Sequence, residues 1–253
     1  MRRVIPKVYL IAKPVLIEGG LADYLAHMGA PDWATDAIGG EKLIEIMARG
    51  CYRSFGVGLN PNVTKVREGI ADYLANILKV KHESVLEHAT YSFMFCDVSR
   101  VFTHELVRHR VGCAISQESL RYVRLEDLGQ WLPDCIQDDP MMVKLFKATF
   151  EHLEALQKRM AEHFGLDDPG KPFARKKEVT SAMRRIAPIG LATNIGWSAN
   201  IRTLRHVIAM RTSLAAEEEI RLVFDEVAKI MQREAPYAFG DLKRSEDGEW
   251  IAS

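Results

Sequence analysis

Six side chains that could bind a phosphorylated ligand lie within fifteen residues of one another, between Arg108 and Tyr122. The segment opens with the run Arg108-His109-Arg110 and closes with Ser119-Leu120-Arg121-Tyr122. Arginine carries a planar fork of N–H donors and stays protonated in proteins, so it suits a phosphate group. Because the whole chain has a formal net charge of +0, this positive charge is a local concentration. The segment therefore predicts a site for a small phosphorylated molecule.

A second group of polar and basic side chains occurs near the C-terminal end of the sequence. Its members are Arg184, Arg185, Asn200, Arg202, His206 and Arg211. If residues 199–212 form one helix, Arg202 and His206 are i,i+4 neighbours, and Asn200 and Arg211 lie about three turns apart on nearly the same face. The pattern is equally typical of a surface helix paired with the acidic run 217–219. The Arg-His-Arg run alone is also typical of a solvated helix end.

The spacing of other polar residues does not support three further kinds of site. His82 and His88 lie six positions apart, on different faces of a helix, so no metal site is expected. Ser116 lacks the G-x-S-x-G pattern of a hydrolase elbow. The pairs Gly19-Gly20 and Gly39-Gly40 lack the G-x-G-x-x-G spacing of a Rossmann fold. A flavin or nicotinamide would therefore bind in another type of fold.

The composition is that of an ordinary globular protein. Of 253 residues, 47% are hydrophobic and 27% are charged, which is enough for a core of its own. The balanced charge disfavours binding to nucleic acid. The four cysteines show no C-x-x-C spacing, which favours reduced thiols, and no segment approaches the roughly 20 apolar residues of a membrane span. We expect a cytoplasmic protein without a signal peptide and without membrane association.

Hydrophobic periodicity predicts a helix-rich α+β fold with a small mixed or antiparallel sheet, in a single domain over residues 1–253. The predicted strands are residues 8–11 and the aromatic segment 90–98, and residues 19–40 are predicted to be largely loop. Ser99 is the expected N-cap of a helix that ends in the Arg-His-Arg run. The predicted helices are 41–56, 64–78, 100–110, 142–160, 175–186, 199–212 and 215–233.

Taken together, these segments resemble the flavin-dependent thymidylate synthase family. The family pattern is R-H-R, seven residues, S, one residue, then R-Y, and the segment from Arg108 to Tyr122 follows its order. Residues 82–88 read H-E-S-V-L-E-H and resemble the family's H-E-[ST]-x-x-E-H segment. The residues similar to its C-terminal half are Arg184 to Pro188, Trp197, Asn200 to Arg202, His206 and Met210-Arg211. The resemblance covers roughly residues 40 to 240.

The resemblance implies an α/β homotetramer whose active sites are built from several subunits. It also implies FAD as cofactor, deoxyuridine monophosphate (dUMP) as substrate, methylenetetrahydrofolate as one-carbon donor and NADPH as reductant. The residues that would hold FAD are Ser84, Glu87, Arg108, His109, Arg110, Asn200, Arg202 and His206. Those that would face the nucleotide are Glu105, Arg108, Gln117, Glu118, Ser119, Leu120, Arg121, Arg184 and Arg211.

The chemistry of these side chains suits the implied reaction. Arg121 and Arg184 can bind a nucleotide phosphate as bidentate donors. Carbon 5 of uracil becomes nucleophilic only when negative charge builds up on the ring, so a permanent cation beside the pyrimidine would help. We expect Arg211 to be this electrostatic stabiliser, with FAD carrying the hydride chemistry. Ser119 has no base beside it in sequence, so we expect it to bind phosphate and not to act as a nucleophile.

The spacing after the Arg-His-Arg run departs from the family pattern. Eight residues, Val111 to Glu118, precede Ser119 where the pattern has seven. A bulged loop would accommodate the extra residue and would shift the roles of Gln117 and Glu118 by one position.

The second departure is Glu105, which stands where the family usually has glutamine. An ionised carboxylate accepts hydrogen bonds and donates none, whereas glutamine does both. Glu105 could pair with Arg108 or Arg121, or it could change which pyrimidine is preferred. Two alternatives therefore stay open: a flavin- and folate-dependent enzyme that acts on another pyrimidine nucleotide, and a nucleotide-binding module without turnover.

Overall fold

The computed structural model describes residues 2–252. Within them, the α-helices are α1 (Glu18–His27), α2 (Gly39–Tyr52), α3 (Ile70–Lys79), α4 (Arg100–Leu106), α5 (Asp134–Gln137), α6 (Pro140–His163), α7 (Phe173–Met183), α8 (Ile201–Arg211), α9 (Glu218–Glu234) and α10 (Pro236–Phe239). The strands are β1 (Arg2–Arg3), β2 (Lys7–Ala12), β3 (Thr90–Ser99), β4 (Cys113–Gln117), β5 (Gly129–Gln130), β6 (Ala192–Asn200), β7 (Leu242–Arg244) and β8 (Trp250–Ala252). Short 3₁₀ helices span Glu83–His88 and Arg184–Ile186.

A four-stranded antiparallel sheet in the order β2-β3-β6-β4 forms the centre of the fold. Alternate side chains of β3 are buried on one face, where Phe93 lies opposite Trp197 of β6. The rings of Phe95 and Trp197 are 6.0 Å apart, and Phe224 of α9 packs on Trp197 at 5.6 Å. Such aromatic contacts between strands and across layers stabilise a sheet beyond the area they bury. The helix-rich α+β class with a small antiparallel sheet is thus confirmed.

Strand β6 lies between β3 and β4, and the sequence pattern did not predict it. Its residues include small and polar side chains such as Asn194, Gly196 and Ser198, so it lacks the β-branched and aromatic enrichment of β3. Pairing on both sides makes this segment a strand. Helix α8 consequently begins at Ile201, two residues after the predicted start at Ala199.

Two predictions for the N-terminal third are wrong. Residues 18–27 form α1 instead of loop, because Leu25 and Tyr24 pack against Phe55 in a separate apolar cluster. The helix predicted over residues 64–78 begins only at Ile70, because Gly69 has a φ of 80° and lies outside the helical region.

The helix that leads to the Arg-His-Arg run is shorter than predicted. Ser99 caps α4 as expected, since its Oγ accepts a hydrogen bond from the Phe102 N–H at 3.1 Å. Helix α4 nevertheless ends at Leu106, so the Arg-His-Arg run is not helical. The His109 N–H donates to the Leu106 carbonyl at 3.0 Å, and the chain then turns into β4. The three side chains therefore do not fan out around a helix axis.

The C-terminal segment forms a hairpin of β7 and β8 that the sequence pattern did not predict. Leu242 and Trp250 of this hairpin belong to the main apolar core. Among residues 2–252, no helix combines the length and apolar character that a membrane crossing requires. The assignment of residues 1–253 to one domain stays a prediction.

Candidate functional site

A cleft of about 630 Å³ lies beside the Arg-His-Arg run and is called here the R-H-R cleft. Its volume is in the range of small-molecule and cofactor sites. It brings together residues from the 3₁₀ helix Glu83–His88, from the segment after α4 and from α8. The predicted cofactor-binding residues that line it are Glu87, Arg108, His109, Arg110, Asn200, Arg202 and His206. Ser84, predicted with them, lies on the same 3₁₀ helix but is not one of the lining residues.

The start of α8 holds the segment that follows the Arg-His-Arg run. Asn200 caps α8, because its side-chain oxygen accepts from the Thr203 N–H at 2.9 Å. Its own backbone N–H donates to the Gly112 carbonyl at 3.1 Å, and the Thr203 hydroxyl donates to the Val111 carbonyl at 2.8 Å. Gly112 has a φ of +68°, and a Cβ on it would collide with the side chains of Asn200 and Thr203. A glycine is therefore required at this turn.

The longer spacing before Ser119 produces no bulge. Strand β4 pairs with β6 in an unbroken register from Cys113 opposite Ala199 to Gln117 opposite Ile195. The expected bulge is therefore absent from residues 113–117, which form a regular strand after the tight turn at Gly112, and the shifted roles of Gln117 and Glu118 stay a prediction.

The R-H-R cleft carries positive charge that the described part of the chain does not neutralise. Between residues 2 and 252, Arg108 and Arg110 form no ion pair. Arg202, by contrast, is paired with Glu87 at 2.6 Å and Glu83 at 3.4 Å. The hydrogen bond from Arg202 to Glu87 and the charges of both carboxylates raise the pKa of Arg202 above its ordinary value. Two free guanidinium groups at one edge suit a ligand with a diphosphate group.

Arg211, the last residue of α8, lies next to the R-H-R cleft and is held by two side chains. Its Nε donates to His109 Nε2 at 2.8 Å, and a terminal nitrogen donates to Glu105 Oε2 at 2.7 Å. His109 must accept at Nε2, so it is neutral with its proton on Nδ1. Burial, together with the charges of Arg211 and His206, lowers the pKa of His109 to about 4. Near neutral pH, the imidazole therefore orients the guanidinium without repelling it.

The position of Glu105 corrects the expectation that it pairs with Arg108 or Arg121. Its carboxylate binds Arg211, and its backbone carbonyl accepts a second hydrogen bond from Arg211 at 3.3 Å. This happens because the last turn of α4 faces the C-terminal end of α8. The arginines of α8 also do not pair with the acidic run 217–219: Glu217 caps α9, and Glu219 binds Ser99.

A second cleft of about 460 Å³, called here the phosphate cleft, lies between α4, α7 and the 3₁₀ helix Arg184–Ile186. Leu120 and Arg184, predicted for the nucleotide, line it. Arg185, a member of the second basic group, lines it too, and so do Arg100 and His104, which the sequence pattern did not predict as site residues. No carboxylate is among its lining residues, so the cleft favours an anion.

Arg100 is the most buried cation of the phosphate cleft. One terminal nitrogen donates to the Glu118 carbonyl at 3.1 Å, whereas its Nε is buried and has no hydrogen-bond partner in residues 2–252. Burial lowers the pKa of Arg100, and the positive charge of Arg184 adds to this effect. Both observations indicate a group that gains from an anionic ligand. Arg100 and His104 are i,i+4 neighbours that start directly after a helix cap, which is the signal that could have revealed them.

The other residues predicted to face the nucleotide lie on the segment between the two clefts. Gln117 donates to the Thr103 hydroxyl at 3.1 Å, and the Glu118 carboxylate accepts from Asn194 at 2.8 Å. Both side chains are thereby occupied within the chain, and their roles toward a ligand stay predictions.

Ser119 and Arg121 follow on the same segment. The Ser119 hydroxyl accepts from the Arg121 N–H at 3.3 Å, and the guanidinium of Arg121 is exposed, 5.9 Å from the ring of Tyr122. Neither lines the phosphate cleft within one chain, so their contact with a phosphate also stays a prediction.

Helix α4 connects the two clefts, since His104 lines one and Arg108, just past its end, lines the other. Glu105, between them, binds Arg211. No group of three or more histidine, cysteine or acidic side chains in residues 2–252 is arranged to hold a metal ion. The fold and the site together define an α+β protein with two cationic clefts whose side chains suit phosphorylated ligands.

Comparison with known sequences gives the family. A family model described as thymidylate synthase complementing protein matches residues 35–237. The flavin-dependent thymidylate synthase of Mycolicibacterium gilvum (strain PYR-GCK) is 37% identical over 214 residues, 84% of this chain and 83% of that protein. The one from Mycobacteroides abscessus is 36% identical over 244 residues, 95% of this chain and 92% of that protein. The chain belongs to the flavin-dependent thymidylate synthase family, as the sequence motifs predicted.

Two solved structures share the fold. Thymidylate Synthase X from Helicobacter pylori, in complex with FAD and dUMP, aligns with a TM-score of 0.55 at 20% identity, over 79% of this chain and 93% of that chain. The UMP/dUMP methylase PolB from Streptomyces cacaoi, bound with 5-Br UMP, aligns with a TM-score of 0.64 at 14% identity, over 95% of both chains. At these identities the likeness concerns the fold alone.

Proposed function

We propose that this protein is an FAD-dependent thymidylate synthase. It methylates dUMP at carbon 5 to give dTMP, with methylenetetrahydrofolate as carbon donor and NADPH as reductant. The observation that carries the proposal is the arrangement of Arg211, held by His109 and Glu105, beside the R-H-R cleft, which α4 connects to the phosphate cleft. Relatives that are 36–37% identical over most of the chain bear the name of this activity.

The R-H-R cleft fits FAD, which is elongated and carries a diphosphate. Its free cations, Arg108 and Arg110, suit the diphosphate, and the exposed apolar side chains of Val111 and Ala252 supply contact surface. The residues that would hold FAD are Glu87, Arg108, His109, Arg110, Asn200, Arg202 and His206, with Ser84 beside them. When bound, FAD supplies the hydride chemistry.

The phosphate cleft suits the 5′-phosphate of dUMP. Arg184 and Arg100 place two guanidinium groups in it, and Arg185 lies beside Arg184 on the same 3₁₀ helix. A dianion there would meet the unpartnered Nε of Arg100 and relieve the repulsion between Arg100 and Arg184. Ser119 and Arg121 would complete the phosphate site in this proposal.

Arg211 stabilises the negative charge that develops on the pyrimidine ring. His109 and Glu105 fix its guanidinium before the substrate arrives, and the remaining N–H groups are free to donate to a pyrimidine oxygen. A donor that is already oriented stabilises developing charge without reorganisation, and this is usually the largest contribution to catalysis. Glu105 lowers the cost of placing Arg211 beside the cations of the R-H-R cleft.

We also propose that the protein acts as a homotetramer in the cytoplasm. Ile5, Val15 and Ile17 are large apolar side chains in the N-terminal segment, each more than 70% exposed. Surfaces of this kind are typical of subunit interfaces. Native mass spectrometry measures the oligomer directly, and a species of four chains is the expected result.

The experiment that tests the function is mass spectrometry of dUMP after incubation with the protein, FAD, NADPH and methylenetetrahydrofolate under low oxygen. We expect a product heavier by one methylene unit that is absent when the folate is omitted. An unchanged nucleotide would contradict the proposal. The same assay with UMP and other pyrimidine nucleotides then tests another substrate. Binding of FAD and dUMP without any product identifies a module without turnover.

A further inference from the structure

We propose that the C-terminal hairpin, residues 242–252, is a positioning element of the active site. It fixes the last turn of α8, so that Arg211 stays between His109 and Glu105, and it forms one wall of the R-H-R cleft. The inference rests on the proposed function, which gives Arg211 and this cleft their roles. The hairpin lies outside the segment 35–237 that the family model matches, so family membership alone assigns it nothing.

The hairpin binds the residues that follow Arg211. The backbone N–H of Trp250 donates to the hydroxyl of Thr212 at 2.9 Å, and that hydroxyl donates to the Ile208 carbonyl at 2.9 Å. The Glu249 carboxylate accepts from the Leu214 N–H at 2.9 Å. Thr212 is 1% exposed and follows Arg211 directly. One buried hydroxyl therefore joins the hairpin to the last turn of α8.

The hairpin is itself anchored to α9. The indole N–H of Trp250 donates to Asp225 Oδ1 at 2.9 Å, and the Nε of Arg244 donates to the same oxygen at 2.6 Å. Burial alone would raise the pKa of Asp225, but the hydrogen bonds from Arg244, Lys229 and Trp250 hold it below its ordinary value. Trp250 is also part of the main core. The hairpin therefore forms a fixed bracket between α9 and the end of α8.

The same hairpin contributes to the R-H-R cleft. Leu242 and Ala252 are among its lining residues. Asp241, which directly precedes the hairpin, binds the guanidinium of Arg205 through both carboxylate oxygens at 2.6 and 2.5 Å. Arg205 lines the cleft as well and is thereby fixed. A ligand in this cleft thus meets a wall formed by residues near the C-terminus.

A bracket is needed because the last turn of a helix is its weakest part. The final carbonyl groups lack partners within the helix, and terminal turns open with little free-energy cost. Arg211 occupies this turn, and its bonds to His109 and Glu105 tolerate only small displacements. Opening of the turn would move the guanidinium of Arg211 away from His109. Only the burial of His109 and the charge of His206 would then lower the pKa of its imidazole.

The variant that tests this is Thr212→Val, which keeps the shape of the side chain and removes the hydroxyl. Because the hairpin forms one wall of the R-H-R cleft and loses its hydrogen bond to α8 in this variant, we expect the Kd for FAD, measured by fluorescence titration, to rise by up to about tenfold. In NMR of histidine-labelled protein, the pKa of His109 should move upward from its low value toward its ordinary value. Thr212→Ser, which restores the hydroxyl, should return both quantities close to those of the wild type.

Thr193→Val is the matched control, because the Thr193 hydroxyl is buried without a hydrogen-bond partner in residues 2–252. It should leave both quantities within about twofold of the wild type. Both readouts unchanged in Thr212→Val would overturn the inference. If that variant does not fold, Glu249→Ala is used instead, since it removes only the hydrogen bond to the Leu214 N–H. An unchanged Kd for FAD and an unchanged pKa of His109 in this variant would likewise overturn the inference. A wild type that binds no FAD and makes no dTMP overturns the proposed function, and the pKa of His109 then tests the bracket alone.

Discussion

At the scale of single residues, the site depends on how Arg211 distributes its hydrogen bonds. Its guanidinium binds the neutral His109 on one side and the Glu105 carboxylate on the other. We expect Arg211→Ala to lower kcat about 10²–10³-fold, the usual loss when one donor to developing charge is removed. FAD affinity should change far less, because the predicted cofactor-binding set does not include Arg211. Arg159→Ala on α6, an exposed arginine without an ion pair in residues 2–252, is the control for turnover and flavin titration. A similar kcat in the two variants would contradict the role of Arg211.

Glu105 gives a second prediction, on substrate preference. Because its carboxylate binds Arg211 at 2.7 Å, we expect it not to contact the pyrimidine ring and so not to determine which nucleotide is preferred. Glu105→Gln keeps an acceptor for Arg211 but loses the charge, so we expect kcat to fall by up to about tenfold. The ratio of kcat/KM for dUMP to that for UMP should stay within about threefold. Glu162→Gln, on the exposed side of α6, controls for a general effect of the substitution. A large change in the ratio would show that Glu105 contacts the pyrimidine.

The sequence predicts some of these residues better than others, for physical reasons. Arg108, His109 and Arg110 are adjacent, so a linear motif places them together whatever the helix boundary. Arg100 joins Arg184 only because α4 packs near α7, and a linear pattern carries no such distance. Glu105 and Arg211 lie 106 positions apart in sequence, so their pairing likewise depends on tertiary packing between α4 and α8.

At the scale of elements, the turn at Gly112 determines how the Arg-His-Arg run meets α8. We expect Gly112→Ala to destabilise the fold and weaken FAD binding, because its φ is +68° and the new Cβ would collide with Asn200 and Thr203. Gly58→Ala is a matched control, since Gly58 has a φ of +90° and open space around it. The control shows the cost of backbone strain alone, about 1 kcal/mol. In denaturant titration, Gly112→Ala should lower the free energy of unfolding by at least about 1 kcal/mol more than Gly58→Ala does. Equal losses would mean that the turn does not hold α8.

Element predictions succeed where local sequence and tertiary packing agree. Strand β3 is predictable because its alternating aromatic residues fit a pleated surface with one buried face. Strand β6 is not, because its stability comes from two neighbours that pair with small and polar residues. Helix α1 escapes prediction because Gly19 and Gly20 lie in its first turn, where glycine is usually unfavourable. Contacts of Leu25 with Phe55 and Ile46 compensate for that cost.

At the scale of the whole molecule, the buried Glu219 and the partly buried His109 give stability opposite dependences on pH. Burial raises the pKa of Glu219 from 4.5 to about 7, although its carboxylate accepts from the N–H of Ser99 at 2.7 Å and from the Ser99 hydroxyl. Between these values the folded state holds a proton that the unfolded state has lost, so stability falls as pH rises. His109, with a pKa lowered from 6.5 to about 4, does the reverse: between those values the unfolded state holds the extra proton, and stability rises with pH.

The two effects overlap between about pH 4.5 and 6.5 and oppose each other there. Glu219→Gln keeps an acceptor for the Ser99 N–H and removes one effect, so its free energy of unfolding relative to the wild type should rise with pH. His109→Gln removes the other, and its relative free energy should fall with pH. Each slope should approach about 1 kcal/mol per pH unit, because one pKa unit corresponds to about 1.4 kcal/mol.

Chemical denaturation at several pH values within this range measures both slopes, and groups common to all variants cancel in the differences. The free energy of unfolding of the double variant should change with pH in nearly the same way as that of the wild type. Glu219 binds Ser99, the N-cap of α4, and His109 lies just past the end of α4 and binds Arg211. Both ends of the segment 99–109 therefore contribute to the pH dependence of stability. If the free energies of unfolding of both single variants change with pH as that of the wild type does, neither Glu219 nor His109 has a perturbed pKa in the folded protein.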